Sequence, residues 1–243
     1  MMEILFFISA LFAEIIGTMA GFGSSTIFLP IALFFFDFKT ALILAAIFHM
    51  SGNIGRIAFF RHNFDKRILL VFGIPSVLFT MIGASLVRFA SQPLLKLILG
   101  VFLFLYVIVS LYRSDISVRS NVKNSIVGGI LSGFFAGLIG TGGALRGAFL
   151  TSFKLEKSVY IATAAAVSLA VDITRIPIYI GSGFLSEEYY YFIPLLFLIA
   201  IVGSFIGKRI VKKVSQKRFR TFVFIFIGIV SLKFIYDGLI IFT

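Results

Sequence analysis

Two short polar trios lie inside long apolar stretches, and each trio ends in an arginine. They consist of His49, Asn53 and Arg56 in the first half and of Ser168, Asp172 and Arg175 in the second. Spacings of four and three residues place each trio on one face of a helix. The planar guanidinium fork suits oxyanions. The pattern therefore predicts an anion site with Arg175 and Arg56 as countercharges and with Asn53 and Asp172 beside them.

A structural interpretation of the same residues stays open. An arginine inside a membrane costs at least about 2.5 kcal/mol on insertion scales, so it is expected to face protein or water. Arg56 lies near a basic loop, where a long side chain can reach the membrane surface instead. Asp172 and Arg175 are three residues apart and can simply pair with each other.

A glycine-rich stretch precedes each trio. The glycines are Gly21 and Gly23 in MAGFGSSTIFLP and Gly140, Gly142 and Gly143 in GLIGTGGALRG. Glycine costs about 1 kcal/mol relative to alanine inside a helix, so each cluster predicts a break. A helix that restarts near Ser24 and Ser25, or near Gly143, would present free N–H groups and a positive dipole end to an anion. Tight helix packing is the alternative function of these glycines.

The stretches and the trios share one offset of 119 residues, which takes Gly21 to Gly140 and Arg56 to Arg175. Small residues recur every fourth position before each break, at Ser9, Ala13 and Gly17 and at Gly128, Ser132 and Ala136. Such stripes allow a close approach of another helix. The offset predicts two repeats, residues 1–120 and 121–243, within one transmembrane domain.

Composition places the chain in a membrane. Of its 243 residues 60% are hydrophobic and 13% are charged, which is more apolar surface than one soluble core can bury. Nearly unbroken apolar runs predict helices rather than barrel strands. The net charge of +12 comes from residues spread through short loops, so it indicates orientation in the lipid bilayer and not nucleic-acid binding.

The expected fold is an all-α integral membrane protein of two inverted repeats, each opening with a glycine-broken helix that is discontinuous or re-entrant. The basic loop from Arg61 to Arg67 corresponds to a loop with Glu187 and Glu188, and this contrast in charge favours inversion. Six full spans are expected besides the two broken segments. They lie near 41–60, 68–89, 94–112, 159–180, 190–211 and 219–241, and Pro177 is expected to end or bend the fourth.

Two further ionisable residues are candidates for coupling transport to an ion. Glu14 is an acid in the first broken segment, where a buried carboxylate can carry a proton, and His49 opens the first trio. Pairing with an arginine is the structural alternative for Glu14. Arg146 follows the second glycine cluster and can either touch an anion or anchor at the interface.

An enzyme is the rival class, because Ser24 or Ser25 with His49 resembles a nucleophile and base of an intramembrane serine protease. Against it, the second repeat has Gly143, Ala144 and Ser168 at the corresponding positions. Neither catalytic nor metal-binding residues nor a cofactor are expected, since the chain has two histidines and no cysteine. A passive anion channel is the nearer alternative.

The glycine-broken first segment, its repeat, and the stretch GNIGRIAFFRHNFD from Gly52 to Asp65 resemble the sulfite exporter TauE/SafE family. The resemblance covers essentially the whole chain. It implies a multi-pass transporter of the plasma membrane that exports sulfite, sulfonates or related anions. By position, Gly21, Gly23, Ser24 and Ser25 and then Gly140, Gly142 and Gly143 match the broken-helix motifs. The chain departs from the pattern at Ser24 and Ser25, where glycines are expected, and at Phe149, which corresponds to Pro30.

The sequence therefore predicts a transporter that moves a small anion by alternating access, with export coupled to a proton or another cation. The anion is expected between the two glycine breaks. Its identity, the oligomeric state and the coupling ion do not follow from the residues.

Overall fold

The computed structural model describes residues 2–20, 24–60, 64–112, 120–210 and 216–240, and all regular structure in these ranges is helical. The helices of the first half are α1 (Met2–Ala20), α2 (Ser25–Ala32), α3 (Phe38–Phe60), α4 (Lys66–Ile68), α5 (Ile74–Leu86) and α6 (Gln92–Tyr112). Those of the second half are α7 (Val122–Ile139), α8 (Gly143–Leu150), α9 (Lys157–Gly181), α10 (Phe192–Ile210) and α11 (Gln216–Leu239). A π-helical turn, Leu69–Gly73, joins α4 to α5 without interruption.

Local sequence signals explain several helix ends. Asn121 caps α7 by accepting a hydrogen bond from the Asn124 N–H at 2.8 Å, and Asp65 caps α4 through the Ile68 N–H at 2.9 Å. Helix α7 ends at Gly140, whose φ of 73° is left-handed and suits glycine. Pro177 lies inside α9, which continues to Gly181. The expected end at Pro177 is therefore absent.

Helix α3 is the centre of the molecule. In its membrane-length segment 72% of the residues are buried, more than in any other candidate span among the described residues. It packs on α9 and α10, while α1 packs on α10, α5 on α7 and α6 on α11. Phenylalanines fill much of the core near α2 and α3, where the rings of Phe28 and Phe48 stack at 4.3 Å and Phe6 meets Phe36 edge-on at 4.9 Å.

Seven helical segments of the described chain are long and apolar enough to cross a membrane. They include α1 and α7, the first pieces of the two glycine-rich segments, which the sequence analysis treats as short pieces that enter and return. At 19 and 18 residues these helices are about 28.5 and 27 Å long, close to the thickness of a hydrocarbon core. The seven also include the first five of the six expected full spans, and α11 covers most of the sixth.

The stripes of small residues face the short helices. A Cβ on Gly17 would collide with Ser24, and a Cβ on Gly128 would collide with the ring of Phe149 in α8. Close helix approach along these stripes is thus confirmed. A second row of glycines in α7, which the sequence analysis did not separate from the first, faces α5: Cβ atoms on Gly129, Gly133 and Gly137 would meet backbone carbonyl oxygens of that segment.

Gly133→Ala is expected to lower the melting temperature in detergent, because the added methyl group collides with backbone atoms of Ser76. Backbone atoms of a packed helix cannot move aside as the end of a flexible side chain can. Gly181→Ala is the matched control, since nothing lies within 4 Å of the added atom there. Thermal unfolding of both variants followed by size-exclusion chromatography measures the difference. Equal melting temperatures would mean that α5 and α7 are not packed this closely.

Candidate functional site

A buried carboxylate, Glu14 of α1, forms one end of a polar cluster in the middle of the molecule. Its Oε1 accepts hydrogen bonds from Arg56 Nη2 at 2.5 Å, from Ser204 Oγ at 2.6 Å and from Thr18 Oγ1 at 3.1 Å. Its Oε2 is buried without a hydrogen-bond partner. Glu14 thus joins α1 to α3 and α10, and it forms the ion pair with an arginine that the structural alternative expected.

Two glycines make room for this carboxylate. A Cβ on Gly52 of α3 would lie 2.7 Å from Glu14 Oε1, and a Cβ on Gly203 of α10 would lie 2.8 Å from Glu14 Cβ. Real Cβ atoms do not come this close to other heavy atoms. Both positions therefore need glycine if the side chain of Glu14 is to lie between the two helices.

Asp172 of α9 forms the other end of the cluster and is fully buried. Its Oδ2 is 2.9 Å from His49 Nδ1 and accepts a hydrogen bond from Asn53 Nδ2 at 3.1 Å. Its Oδ1 accepts from Nε and Nη2 of Arg175 at 3.0 and 2.7 Å. The Asp172–Arg175 pair allowed by their spacing is therefore formed, and His49 and Asn53 extend it to α3.

Asn53 connects the two carboxylates. Its Oδ1 accepts a hydrogen bond from Arg56 Nη1 at 2.8 Å, and the Nη2 of that arginine bonds Glu14 and lies 3.4 Å from Ser24 Oγ. One continuous network thus runs from Glu14 to Arg175. Arg56 and Arg175 are 7% and 1% exposed, so neither reaches the membrane surface.

The network is attached to the end of α7, where the last carbonyl groups of a helix have no intrahelical partner. Arg175 Nη1 donates to the Ala136 carbonyl at 2.8 Å, and the Tyr179 hydroxyl donates to the Gly137 carbonyl at 2.5 Å. Tyr179 is not among the residues predicted for the site, although it lies four residues after Arg175 on the same helix face. These bonds hold the second glycine cluster against α9.

The start of α2 contacts the residues that precede α8. Thr26 at the start of α2 and Thr141 before α8 are fully buried, and their hydroxyl oxygens are 2.9 Å apart. Gly142 accepts a hydrogen bond through its carbonyl oxygen from Ser132 at 2.9 Å. Ser24 and Ser25 are buried beside this contact, as is Gly143. Gly21 and Gly23 lie outside the described residues.

Arg146, in the first two turns of α8, is 6% exposed, and none of the described residues pairs with it through a hydrogen bond or an ion pair. It lies within electrostatic range of Asp172, Arg56 and Arg175. Anchoring at the interface is therefore excluded by its burial. The buried charged groups of the described chain are three arginines, two carboxylates and His49. With His49 neutral, the cluster has an excess of one positive charge.

The serine protease alternative finds no support in the contacts. The Oγ of Ser24 lies near Arg56, and His49 Nδ1 lies near Asp172 and Asn53. No hydrogen bond joins either serine to His49 in the part of the chain that the structure describes. The same part contains no group of three His, Cys, Asp or Glu residues suited to a metal ion.

Comparison with known proteins gives two matches. The family described as sulfite exporter TauE/SafE matches residues 6–234. A probable membrane transporter protein of Methanocaldococcus jannaschii is 27% identical over 90% of both chains. No solved structure matches the chain.

Proposed function

The chain belongs to the sulfite exporter TauE/SafE family of membrane transporters, and from this membership we propose that it moves a small oxyanion, such as sulfite or an organosulfonate, by alternating access. The observation that carries the choice of an anion is the excess positive charge in the buried cluster. An uncompensated buried charge is costly, and an anion bound beside it removes that cost.

The meeting of the two glycine-rich segments supports a binding site at this place. The Thr26–Thr141 contact brings the start of α2 beside the residues that precede α8. Transporters commonly bind substrates where discontinuous helices of two repeats meet, because the helix ends carry free backbone groups and partial charges. In this proposal Gly140, Gly142 and Gly143, with Ser24 and Ser25, line the anion site, and Gly21 and Gly23 belong to the equivalent break.

We assign coupling to Glu14 and His49. The described chain has two buried side-chain atoms without a hydrogen-bond partner, and these are Glu14 Oε2 and His49 Nε2. Each can accept a proton, so a change in protonation at either atom alters the charge of the cluster by one unit. This supports the coupling of transport to protons, and we propose that the coupled transport is export across the plasma membrane.

The test of the proposed function is transport by the purified protein in liposomes, with sulfite, methanesulfonate, sulfate and acetate as separate probes. A carrier shows saturable uptake of sulfite or methanesulfonate and exchange of labelled for unlabelled anion across the membrane. Uptake without such exchange, accompanied by an anion current, favours the channel. Absence of flux for every oxyanion would overturn the function.

Inverted repeats are part of the same proposal, with residues 1–120 and 121–243 as the two units. Three crossings per repeat put equivalent loops on opposite sides, whereas four crossings, with α1 and α7 both spanning fully, put them on the same side. The loop with Glu187 and Glu188 is acidic, whereas the corresponding loop from Arg61 to Arg67 is basic. This contrast in charge favours a position of the two loops on opposite sides of the membrane.

Phe64→Cys and Ser186→Cys are therefore expected to react with membrane-impermeant thiol reagents from opposite sides of the membrane. Both residues are exposed, and the chain has no other cysteine to react. Labelling of right-side-out and inverted vesicles measures the result. Labelling of both positions from the same side of the membrane would show that the two repeats are parallel and not inverted.

A further inference from the structure

We propose that Arg146 is the residue that binds the substrate anion, and that the site prefers a singly charged oxyanion to a doubly charged one. This inference rests on the proposed function. It adds the residue that binds the anion and the charge of the anion, which the proposed function leaves open. It differs from the sequence-based expectation, in which Arg175 and Arg56 supply the countercharge.

Arg56 and Arg175 are already occupied by the protein. Arg56 pairs with Glu14 and donates to Asn53, and Arg175 donates twice to Asp172 and once to the Ala136 carbonyl. Each of these arginines is therefore neutralised by its own carboxylate. An anion that displaced either pair would leave a buried carboxylate without its partner, which is strongly unfavourable.

Arg146, in contrast, has no carboxylate partner among the described residues. The residue is 6% exposed, no hydrogen bond or ion pair joins its side chain to another described residue, and none of its nitrogen atoms is among the fully buried atoms without a partner. Arg146 is the fourth residue of α8, and its Cα–Cβ bond tilts toward the start of that helix, as in every α-helix. Gly143 and Ala144 carry backbone N–H groups there with no intrahelical acceptor. A guanidinium that pairs with no described residue thus lies in the same short helix as the positive helix end.

The repeat shows that the fold does not require an arginine here. By the 119-residue offset Arg146 corresponds to Ile27, which is 1% exposed and packs in the apolar core. Arg56 and Arg175 correspond to each other. A structural arginine is thus present in both repeats, whereas Arg146 is present in the second alone.

The charge balance indicates the class of anion. Among the described residues three arginines and two carboxylates are buried, so one negative charge neutralises the cluster while His49 stays neutral. Methanesulfonate and sulfate are matched probes, because both present tetrahedral sulfur with oxygens but carry one and two charges. The cluster leaves the second charge of sulfate without compensation, which costs free energy in a buried site.

The test compares Arg146→Gln and Arg146→Lys with the parent protein, and Arg88→Gln serves as a control for the same change at an exposed arginine. Methanesulfonate is expected to raise the melting temperature of the parent and of Arg88→Gln, because a ligand of the folded state stabilises it. Arg146→Gln is expected to bind methanesulfonate at least about tenfold more weakly than the parent, because a charge-assisted hydrogen bond is lost. Arg146→Lys is expected to have an intermediate affinity, because lysine keeps the charge but lacks the fork geometry of the guanidinium. Sulfate is expected to bind the parent more weakly than methanesulfonate.

Stability without ligand separates substrate binding from a structural role. Removal of a charge that pairs with no described residue is expected to keep or raise the melting temperature of Arg146→Gln, whereas loss of a structural contact lowers it. If the parent binds methanesulfonate and Arg146→Gln binds it equally well, or if Arg146→Gln is destabilised as the structural role requires, the inference is wrong while the proposed function stands. Sulfate binding as tight as that of methanesulfonate overturns the charge preference. Absence of anion binding and flux in the parent overturns the proposed function itself.

Discussion

Asp172→Asn is expected to destabilise the protein by about 3–5 kcal/mol, the range for removal of one partner from a buried ion pair. The carboxylate of Asp172 interacts with His49, Asn53 and Arg175. Asparagine keeps the size of the side chain but replaces one acceptor oxygen by an NH2 donor, which faces donors of its neighbours. It also leaves Arg175 buried without a counterion.

Asp237→Asn is the matched control, because it makes the same chemical change in an ion pair at the surface. Asp237 pairs with Lys233 four residues earlier in the same helix, and the side chain of Lys233 is 47% exposed. Such exposed pairs contribute at most about 1 kcal/mol. Thermal and chemical unfolding in detergent measures both variants. Similar losses for the two would show that the pair of Asp172 and Arg175 is not buried in the folded protein.

The chemistry of each polar trio could be predicted from one helix at a time. Helical periodicity placed Asn53 beside Arg56 and Asp172 beside Arg175, and both neighbouring contacts are present. The contact of His49 with Asp172 joins residues 123 positions apart. Such a contact depends on how α3 packs against α9, which sequence periodicity does not describe.

Arg146 shows a second limit of the sequence. From its position after a glycine cluster, Arg146 could be either an anion ligand or an anchor at the membrane interface. Its burial, which the sequence does not give, argues against the anchor. Tyr179 and Ser204 had detectable signals: Tyr179 follows Arg175 by four residues, and Ser204 lies among the small residues Ala200, Gly203 and Gly207 of α10. Neither signal names the acceptor, since Tyr179 bonds a backbone carbonyl of α7 and Ser204 bonds Glu14 of α1.

The length of the first helices shows a third limit. The second glycine cluster indicated where α7 stops, at Ile139. The glycine clusters did not indicate how deep α1 and α7 lie in a membrane, because depth is set by packing against neighbouring helices and by the lipid. The number of crossings in each repeat, and with it the orientation of the repeats, therefore depends on the labelling result.

Glu14→Gln is expected to have two separable effects, since Glu14 is both the counterion of Arg56 and our candidate for the coupling proton. Glutamine keeps the size and an acceptor oxygen but removes the charge and the site for a proton. Arg56 then remains buried without a counterion, and we expect a loss of about 3–5 kcal/mol in the free energy of unfolding. We also expect proton-driven anion transport to stop, because the amide of glutamine offers no site for the coupling proton.

The double variant Glu14→Gln/Arg56→Gln separates the two effects. Removal of both charges leaves no unpaired ion, so most of the lost stability is expected to return. Proton-driven transport is expected to stay absent in the double variant, while exchange of anion for anion without a proton gradient continues, because Arg146 is unchanged. Liposome uptake with and without an imposed proton gradient measures this difference. If proton-driven uptake returns together with stability, Glu14 is a structural partner of Arg56 alone, and His49 remains as the candidate for the coupling group.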